Sequence, residues 1–374
     1  MKLLSCAAAK GKFLPVLLLA LFSAKALPAQ NRSNSIEVSP YYNVSMFSSE
    51  KNNLQGSAWG GDVIYHIDMH ENKTDWVRLL HVQDVGMAFS YHNMQQVALT
   101  SNPSTKGFLG DAYGLTAKLS IALANAGNTQ LLLTPGFGFV YSTESYFTNQ
   151  SPLVGSHINL ASEIGLKVVT SISKLTRIVA GVGVFHYSNG AYRLPNNGIN
   201  ALNISAGIVQ NINQPGPIHP ASAFSVYKHS FEFGADIGRR AVFKSKDGYY
   251  KSGIYAGYNY RVNPVFSLKA ATDAVYYYKT FDINNFAQTY QGNGTSYDKV
   301  RVGLSLGGDL WIGRLALMAN YGYYLHYKSY LPNKYYWTAG FKYYIATWVA
   351  LSAKMYVNHT DADFAGFGLL FRVH

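Results

Sequence analysis

The feature that most constrains the fold is a two-residue alternation of apolar and polar side chains that recurs in long segments. In the clearest segment, one parity is occupied by Val300, Val302, Leu304 and Leu306, and the other by Arg301, Gly303, Ser305 and Gly307. The segments 231–238 and 266–273 repeat this pattern. Successive side chains of a strand point to opposite faces, so each segment predicts a strand with one apolar and one polar face.

Sixteen such segments, each roughly 10 to 15 residues long, are expected along the chain. They are 36–48, 57–68, 78–92, 108–124, 129–142, 157–171, 176–188, 199–211, 226–238, 249–261, 265–279, 297–310, 312–326, 334–345, 348–358 and 363–373. Tight turns such as 125–128 alternate with long connections such as 143–156 and 280–296. Long strands joined in this way are typical of an all-β fold, a transmembrane antiparallel β-barrel of about 14–16 strands. The proline-containing segment 212–225 is too long for a short turn and does not fit this scheme.

The first residues have the composition of a cleaved signal peptide. Lysines precede the apolar stretch 13–22, and the small-residue site Ala24-Lys25-Ala26 follows it. An apolar stretch of this length is too short for a helix that spans a membrane. We therefore expect a signal peptide over residues 1–29 and one outer-membrane barrel over residues 30–374. The one cysteine, Cys6, lies in the removed segment, which excludes disulfides and thiol chemistry from the mature chain.

The charge of the chain is basic, with a formal net charge of +12 at pH 7. The removed segment contains four lysines and no acidic residue, so the mature chain carries about +8. Such a balance suits a membrane surface rich in phosphorylated lipid. Because the lysines and arginines are scattered among the strands, nucleic acid is not an expected partner. The oligomeric state is left open.

A histidine and a serine two positions apart give the candidate catalytic pair. His186 and Ser188 end the predicted strand 176–188 and share the parity of its apolar residues, as Asn200 does on the next strand. Residues i and i+2 of a strand project from one face about 7 Å apart, within reach of an imidazole and a hydroxyl. Polar groups on a lipid-facing surface are costly, which favours a functional reading of the trio His186, Ser188 and Asn200.

The surrounding residues 186–200, His-Tyr-Ser-Asn-Gly-Ala-Tyr-Arg-Leu-Pro-Asn-Asn-Gly-Ile-Asn, resemble the active-site signature of the lipid A 3-O-deacylase family. Its members are outer-membrane β-barrel esterases. The resemblance implies removal of an O-linked (3-hydroxy)acyl chain from lipid A of lipopolysaccharide in the outer leaflet, with no metal and no cofactor. It implies Ser188 as nucleophile, His186 as general base and Asn200 as the third member, although the family pattern has an acid at that position.

Further residues of the same segment are expected to support the reaction. Asn189 and Gly190 are predicted oxyanion donors, Asn196 a supporting loop residue, and Arg193 a ligand for a lipid A phosphate. Glu163 is the acid on the neighbouring segment, but its parity places it toward the barrel interior rather than beside His186.

Two other functions remain open at the level of sequence. In a passive pore, the interior residues Lys167, Arg301 and Asp309 would be the working groups, and the His186 cluster would be incidental. In a structural or adhesive barrel, the long loops would bind a partner and the deacylase-like site would be inactive.

Overall fold

The computed structural model describes residues 33–48, 54–213, 227–282, 284 and 296–374, so the predicted signal peptide lies outside the described residues. Its strands are β1 Asn34–Phe47, β2 Leu54–Gln55, β3 Ala58–Asp68, β4 Val82–Asn93, β5 Ala98–Leu99, β6 Asp111–Ala126, β7 Thr129–Ser142, β8 Ile158–Ser171, β9 Thr176–Ser188, β10 Ile199–Asn213, β11 His229–Ala241, β12 Gly248–Asn263, β13 Phe266–Tyr277, β14 Val300–Ile312, β15 Leu315–His326, β16 Tyr335–Ala346, β17 Val349–Asn358 and β18 Asp361–Val373. Every predicted strand corresponds to one of these. The two-residue strands β2 and β5, which pair with each other, were not predicted.

The long strands form two closed barrels of eight antiparallel strands each. The first barrel has the order β1-β10-β9-β8-β7-β6-β4-β3, and the second runs in sequence from β11 to β18. Each closes by pairing its first strand with its last, β1 with β10 and β11 with β18. The predicted class, an all-β antiparallel barrel, is confirmed. The single barrel expected over residues 30–374 is corrected to two, because strand patterns do not reveal which strands close a sheet.

The proline-containing segment that did not fit the predicted pattern of turns joins the two barrels. The last strand of the first barrel ends at Asn213, and the first strand of the second begins at His229. Residues 214–226 lie outside the described residues. The segment is therefore a connection between barrels and not a turn within one.

Both barrels are apolar outside and polar inside, as the alternation predicts. On β14, Leu304 and Leu306 are more than half exposed on the outer surface, whereas Arg301 and Asp309 are fully buried inside. The interior is crossed by ion pairs, such as Lys167 with Glu37 at 2.5 Å in the first barrel. The interior charges thus have counterions, as burial requires.

Three long connections of the first barrel lie at the end where β9 ends and β10 begins, and a fourth, 69–81, lies at the opposite end. The three are 94–110, 143–157 and 189–198, while the opposite end also has turns such as 127–128 and 172–175. Short helices occupy Asp75–Leu79 and Tyr146–Asn149, and Pro103–Thr105 forms a 3-10 turn. In the described part of the chain, no helix is long and apolar enough to cross a membrane.

Candidate active site

The three residues of the predicted trio lie together on two neighbouring strands. His186 and Asn200 are direct cross-strand partners in the antiparallel pair β9–β10, and Ser188 ends β9. Paired residues of an antiparallel sheet project on the same face, as do residues i and i+2 of one strand. The register therefore brings the imidazole between the hydroxyl and the amide.

Hydrogen bonds connect the trio in a line. The Nε2 atom of His186 lies 3.0 Å from Oγ of Ser188, and its Nδ1 atom lies 2.9 Å from Oδ1 of Asn200. An amide oxygen only accepts, so Nδ1 of His186 carries the proton that it donates to Asn200. Nε2 is then unprotonated and accepts from the hydroxyl of Ser188, which is the tautomer that a general base needs.

The orientation of the Asn200 amide is set by the neighbouring strand β1. The Nδ2 atom of Asn200 donates to the backbone carbonyl of Phe47 at 3.2 Å. A carbonyl accepts but cannot donate, so the amide nitrogen faces Phe47 and the amide oxygen faces His186. Asn200 thus fixes the imidazole as a hydrogen-bond acceptor, without a negative charge.

The trio lies on the outer surface of the first barrel, in line with its predicted parity. Val182 and Val184 precede it on the same face of β9 and are 50% and 38% exposed, while His186 and Ser188 are half-buried. The opposite parity, Phe185 and Tyr187, is buried in an apolar cluster that fills this end of the barrel. The polar trio therefore lies at the end of the exposed apolar face of β9, and the buried apolar cluster packs behind it.

The connection between β9 and β10, residues 189–198, is termed the site loop. Near its end, Gly198 has a φ of +71°, and a Cβ added there would lie 2.9 Å from Cε1 of His186. Ser48 fixes the loop from the end of β1, since its Oγ donates to the carbonyl of Gly198 at 2.8 Å. The N–H of Gly198 donates to the carbonyl of Leu153 at 2.9 Å. These contacts hold the loop against the imidazole.

The predicted oxyanion donors have different surroundings. The backbone N–H of Asn189 donates to Oδ1 of Asn196 at 3.2 Å, so it is already engaged. The Oδ1 atom of Asn189 accepts from the backbone N–H of Arg193 at 3.2 Å. Its Nδ2 atom is buried and has no hydrogen-bond partner among the described residues. A buried amide nitrogen without a partner is unusual in proteins.

The other predicted residues lie as follows. Gly190 has a φ of +60° in the turn after Ser188. The guanidinium of Arg193 contacts the second barrel, where it donates to the carbonyl of Lys246. Glu163 faces the interior, where it accepts from Thr116 at 2.8 Å and pairs with Lys118 at 2.9 Å. The expectation that Glu163 does not serve the imidazole therefore holds.

Sequence reasoning missed two residues that support the site, Phe47 at the end of β1 and Ser48 directly after it. They are about 140 residues from His186 in the chain, and only the pairing of β1 with β10 places them beside Asn200. A strand count of eight for the first barrel would have indicated this pairing. Among the described residues, no group of three or more His, Cys, Asp or Glu side chains is arranged to hold a metal ion.

Comparison with protein families gives one match for each barrel. Residues 36–209 match the family model described as lipid A 3-O-deacylase (PagL). Residues 227–374 match the model described as the C-terminal domain of acyloxyacyl hydrolase, which is named PagL_C. The two matches coincide with the two barrels. No curated protein matches the chain.

The solved structures that the chain resembles are related to it at low identity. The crystal structure of the outer membrane enzyme PagL is 13% identical, with a TM-score of 0.31, and covers 46% of this chain and 97% of its own. Omp33 from Acinetobacter baumannii is 9% identical, with a TM-score of 0.18, and covers 92% of this chain and 100% of its own. CdiB from Escherichia coli is 11% identical, with a TM-score of 0.21, and covers 93% of this chain and 64% of its own.

Proposed function

Because residues 36–209 match the lipid A 3-O-deacylase family model and residues 227–374 match the model of the acyloxyacyl hydrolase C-terminal domain, we propose that the chain is an outer-membrane acyl hydrolase with Ser188, His186 and Asn200 as its catalytic residues. The reaction is hydrolysis of an ester that joins a 3-hydroxyacyl chain to the lipid A sugar. The observation that supports this assignment most strongly is the position of His186 between a hydroxyl at 3.0 Å and an amide oxygen at 2.9 Å, on the outward face.

The first half of the proposed reaction forms an acyl-enzyme. Oγ of Ser188 attacks the acyl carbonyl carbon while its proton passes to Nε2 of His186. The carbonyl oxygen becomes an oxyanion, for which Nδ2 of Asn189 and the N–H of Gly190 are the proposed donors. The bond from the carbonyl carbon to the sugar oxygen then breaks, and His186 returns the proton to that oxygen.

The second half regenerates the enzyme. A water molecule attacks the acyl-enzyme carbonyl and gives a proton to Nε2 of His186. The bond to Oγ of Ser188 breaks, Ser188 recovers the proton, and the 3-hydroxy fatty acid leaves. The outward position of the trio suits this substrate, since an acyl chain of lipid A lies in the membrane beside the barrel and not in its interior.

The test is mass spectrometry of lipid A after incubation with purified protein in detergent. We expect loss of one 3-hydroxyacyl chain with the wild type and no loss with Ser188→Ala or His186→Ala. Ser162→Ala is the matched control, because Ser162 is an exposed serine that pairs with His186 from β8, on the side away from Asn200. Activity that survives in both catalytic variants would refute the assignment of the site.

A further inference from the structure

The second barrel contributes a hairpin to the surroundings of the site loop. The turn 242–247 between β11 and β12 lies at the end of the second barrel that contacts this loop. The N–H of Ala241 donates to the carbonyl of Ala191 at 3.0 Å, and the N–H of Lys244 donates to the carbonyl of Leu194 at 3.1 Å. These two backbone hydrogen bonds bracket Arg193 in the site loop, so the hairpin is positioned against the segment that follows Ser188.

Two arginines, one from each barrel, converge at this contact. Nη2 of Arg239 donates to the carbonyl of Lys246 at 2.7 Å, and Arg193 donates to the same carbonyl. Both guanidinium groups also lie over the ring of Tyr192, at 5.3 Å for Arg239 and 5.5 Å for Arg193. The two positive charges are thus held near each other by a shared carbonyl and a shared ring.

The charges around the two arginines are unbalanced. Lys244 and Lys246 add two exposed ammonium groups on the hairpin. Among the residues that the structure describes, neither Arg193 nor Arg239 forms an ion pair with a carboxylate. The one acid of the turn, Asp247, accepts from the hydroxyl of Ser245 at 2.9 Å. Like charges held together repel, and a dianion that accepts from both would relieve this repulsion.

The guanidinium groups retain donors for such a ligand. Each guanidinium has five N–H donors, of which the carbonyl of Lys246 uses few, and its planar fork matches the oxygens of phosphate. Lipid A carries phosphate on its sugar headgroup, at the level of the loops, while its acyl chains extend along the barrel wall. Arg193 lies in the site loop, five residues after Ser188. The arginine cluster is thus at the loop that directly follows the proposed nucleophile.

We propose that Arg193 and Arg239 together bind a phosphate of the lipid A substrate, so that the second barrel completes the substrate site of the first. The proposal rests on the proposed function. It assigns to the second barrel a role in substrate recognition, with Arg239 as its principal residue.

The test compares wild type and Arg239→Gln on three substrates: lipid A with its phosphates, the same lipid A after dephosphorylation, and a p-nitrophenyl acyl ester. Hydrogen bonds to charged groups are strong enough that we expect kcat/KM on phosphorylated lipid A to fall roughly tenfold or more. On the other two substrates the variant and the wild type should agree. Arg239→Lys should recover part of the loss, since it restores the charge without the fork.

Arg314→Gln is the matched control. Arg314 is an exposed arginine of the second barrel that also donates to a backbone carbonyl, that of Ile345 at 3.3 Å, in a turn at the other end. It should behave as wild type on all three substrates. An equal loss for Arg239→Gln on all three would show that Arg239 only fastens the barrels together. No loss on phosphorylated lipid A would also overturn the proposal.

A binding measurement separates this inference from the proposed function. With Ser188→Ala as the background, native mass spectrometry of the detergent-solubilised protein reports binding of phosphorylated and dephosphorylated lipid A without turnover. We expect the preference for the phosphorylated form to be lost when Arg239→Gln is added. A different outcome is that the wild type cleaves no ester, while the protein still prefers phosphorylated lipid A and Arg239→Gln still removes that preference. In that case the esterase assignment fails and the phosphate site stands.

Discussion

The amide nitrogen of Asn200 on β10 donates to the backbone carbonyl of Phe47 on β1, 3.2 Å away, at the seam where the first barrel closes. This bond orients the amide so that its oxygen meets Nδ1 of His186. In a serine protease, replacing the acid of the triad by an amide lowered kcat by about 10⁴, because the amide stabilised the wrong histidine tautomer. In this chain Phe47 imposes the correct tautomer. The missing acid therefore costs the stabilisation of imidazolium but not the alignment of the base.

The first prediction concerns Asn200→Asp. The carboxylate adds charge stabilisation to imidazolium, but one of its oxygens faces the carbonyl of Phe47, which also only accepts. We expect kcat on lipid A to rise by about tenfold, far less than the factor of about 10⁴ lost in the protease. Steady-state kinetics on lipid A measure this change.

Asn200→Leu is the companion variant, since it removes both hydrogen bonds of the amide. Loss of an oriented base should lower kcat by roughly 100-fold or more. Should Asn200→Leu match the wild type, the amide would have no part in aligning His186.

The second prediction concerns the shape of the site loop. Gly198→Ala places a methyl group 2.9 Å from the imidazole of His186 at a backbone φ of +71°. Displacement of a catalytic group by about 1 Å lowers activity roughly 100-fold. We expect such a loss in kcat while the barrel remains folded, which is checked by the mobility of unheated protein on SDS gels.

Gly127→Ala is the matched control for this variant. Gly127 has a φ of +61°, but no atom lies within 4 Å of the position of its added Cβ, and the residue is in a turn at the other end of the barrel. It has the same backbone strain without the contact to His186. Equal activity losses in the two variants would show that strain, and not the imidazole contact, is responsible.

Much of the fold was predictable because parity is a local property. A strand such as β14, with Leu304 outside and Arg301 inside, is recognisable from its own residues, and the same parity placed His186, Ser188 and Asn200 on the outer face. Closure is not local. Whether β10 pairs with β1 or with β11 depends on the number of strands that a barrel accommodates, and sequence alternation does not encode that number.

The supporting residues that sequence reasoning missed are those whose position depends on how the barrel closes. Phe47 and Ser48 lie beside the trio only because β1 pairs with β10, and a barrel of sixteen strands would have placed β11 there instead. Arg239 was not considered from sequence, since its contact with the site loop depends on how β11 and β12 pack against that loop, which strand patterns do not reveal. Asn189 and Arg193 could be proposed from sequence because they lie in the same short segment as Ser188.

The third prediction concerns the interior of the second barrel, where two of the three residues named in the pore hypothesis, Arg301 and Asp309, lie. Lys342 lies between Glu232, at 2.5 Å, and Asp309, at 2.6 Å, and all three side chains are fully buried. Paired charges of this kind fill the interior. Lys342→Met leaves two buried carboxylates with one remaining lysine, Lys269. Removal of one partner from a buried pair costs about 3–5 kcal/mol, and we expect a loss of that size in the free energy of unfolding by urea.

Lys328→Met provides the comparison for Lys342→Met. Lys328 is 65% exposed and pairs with Asp298 at 3.6 Å, and exposed pairs contribute about 0–1 kcal/mol. Its unfolding curve should nearly overlay that of the wild type. Similar curves for Lys342→Met and the wild type would mean that the interior charges are hydrated rather than paired.

The fourth prediction concerns the buried amide nitrogen of Asn189, which has no partner among the described residues. Asn189→Asp keeps an oxygen to accept from the N–H of Arg193, which the wild-type side chain does at 3.2 Å, and removes the proposed oxyanion donor. Loss of one such donor lowers kcat by about 10²–10³. We expect a loss of at least this size with KM little changed, because the donor acts on charge that develops in the transition state. Asn197→Asp is the control, because it adds the same negative charge to the site loop. A comparable loss of kcat in Asn197→Asp would assign the effect to the added charge and would exclude Asn189 as an oxyanion donor.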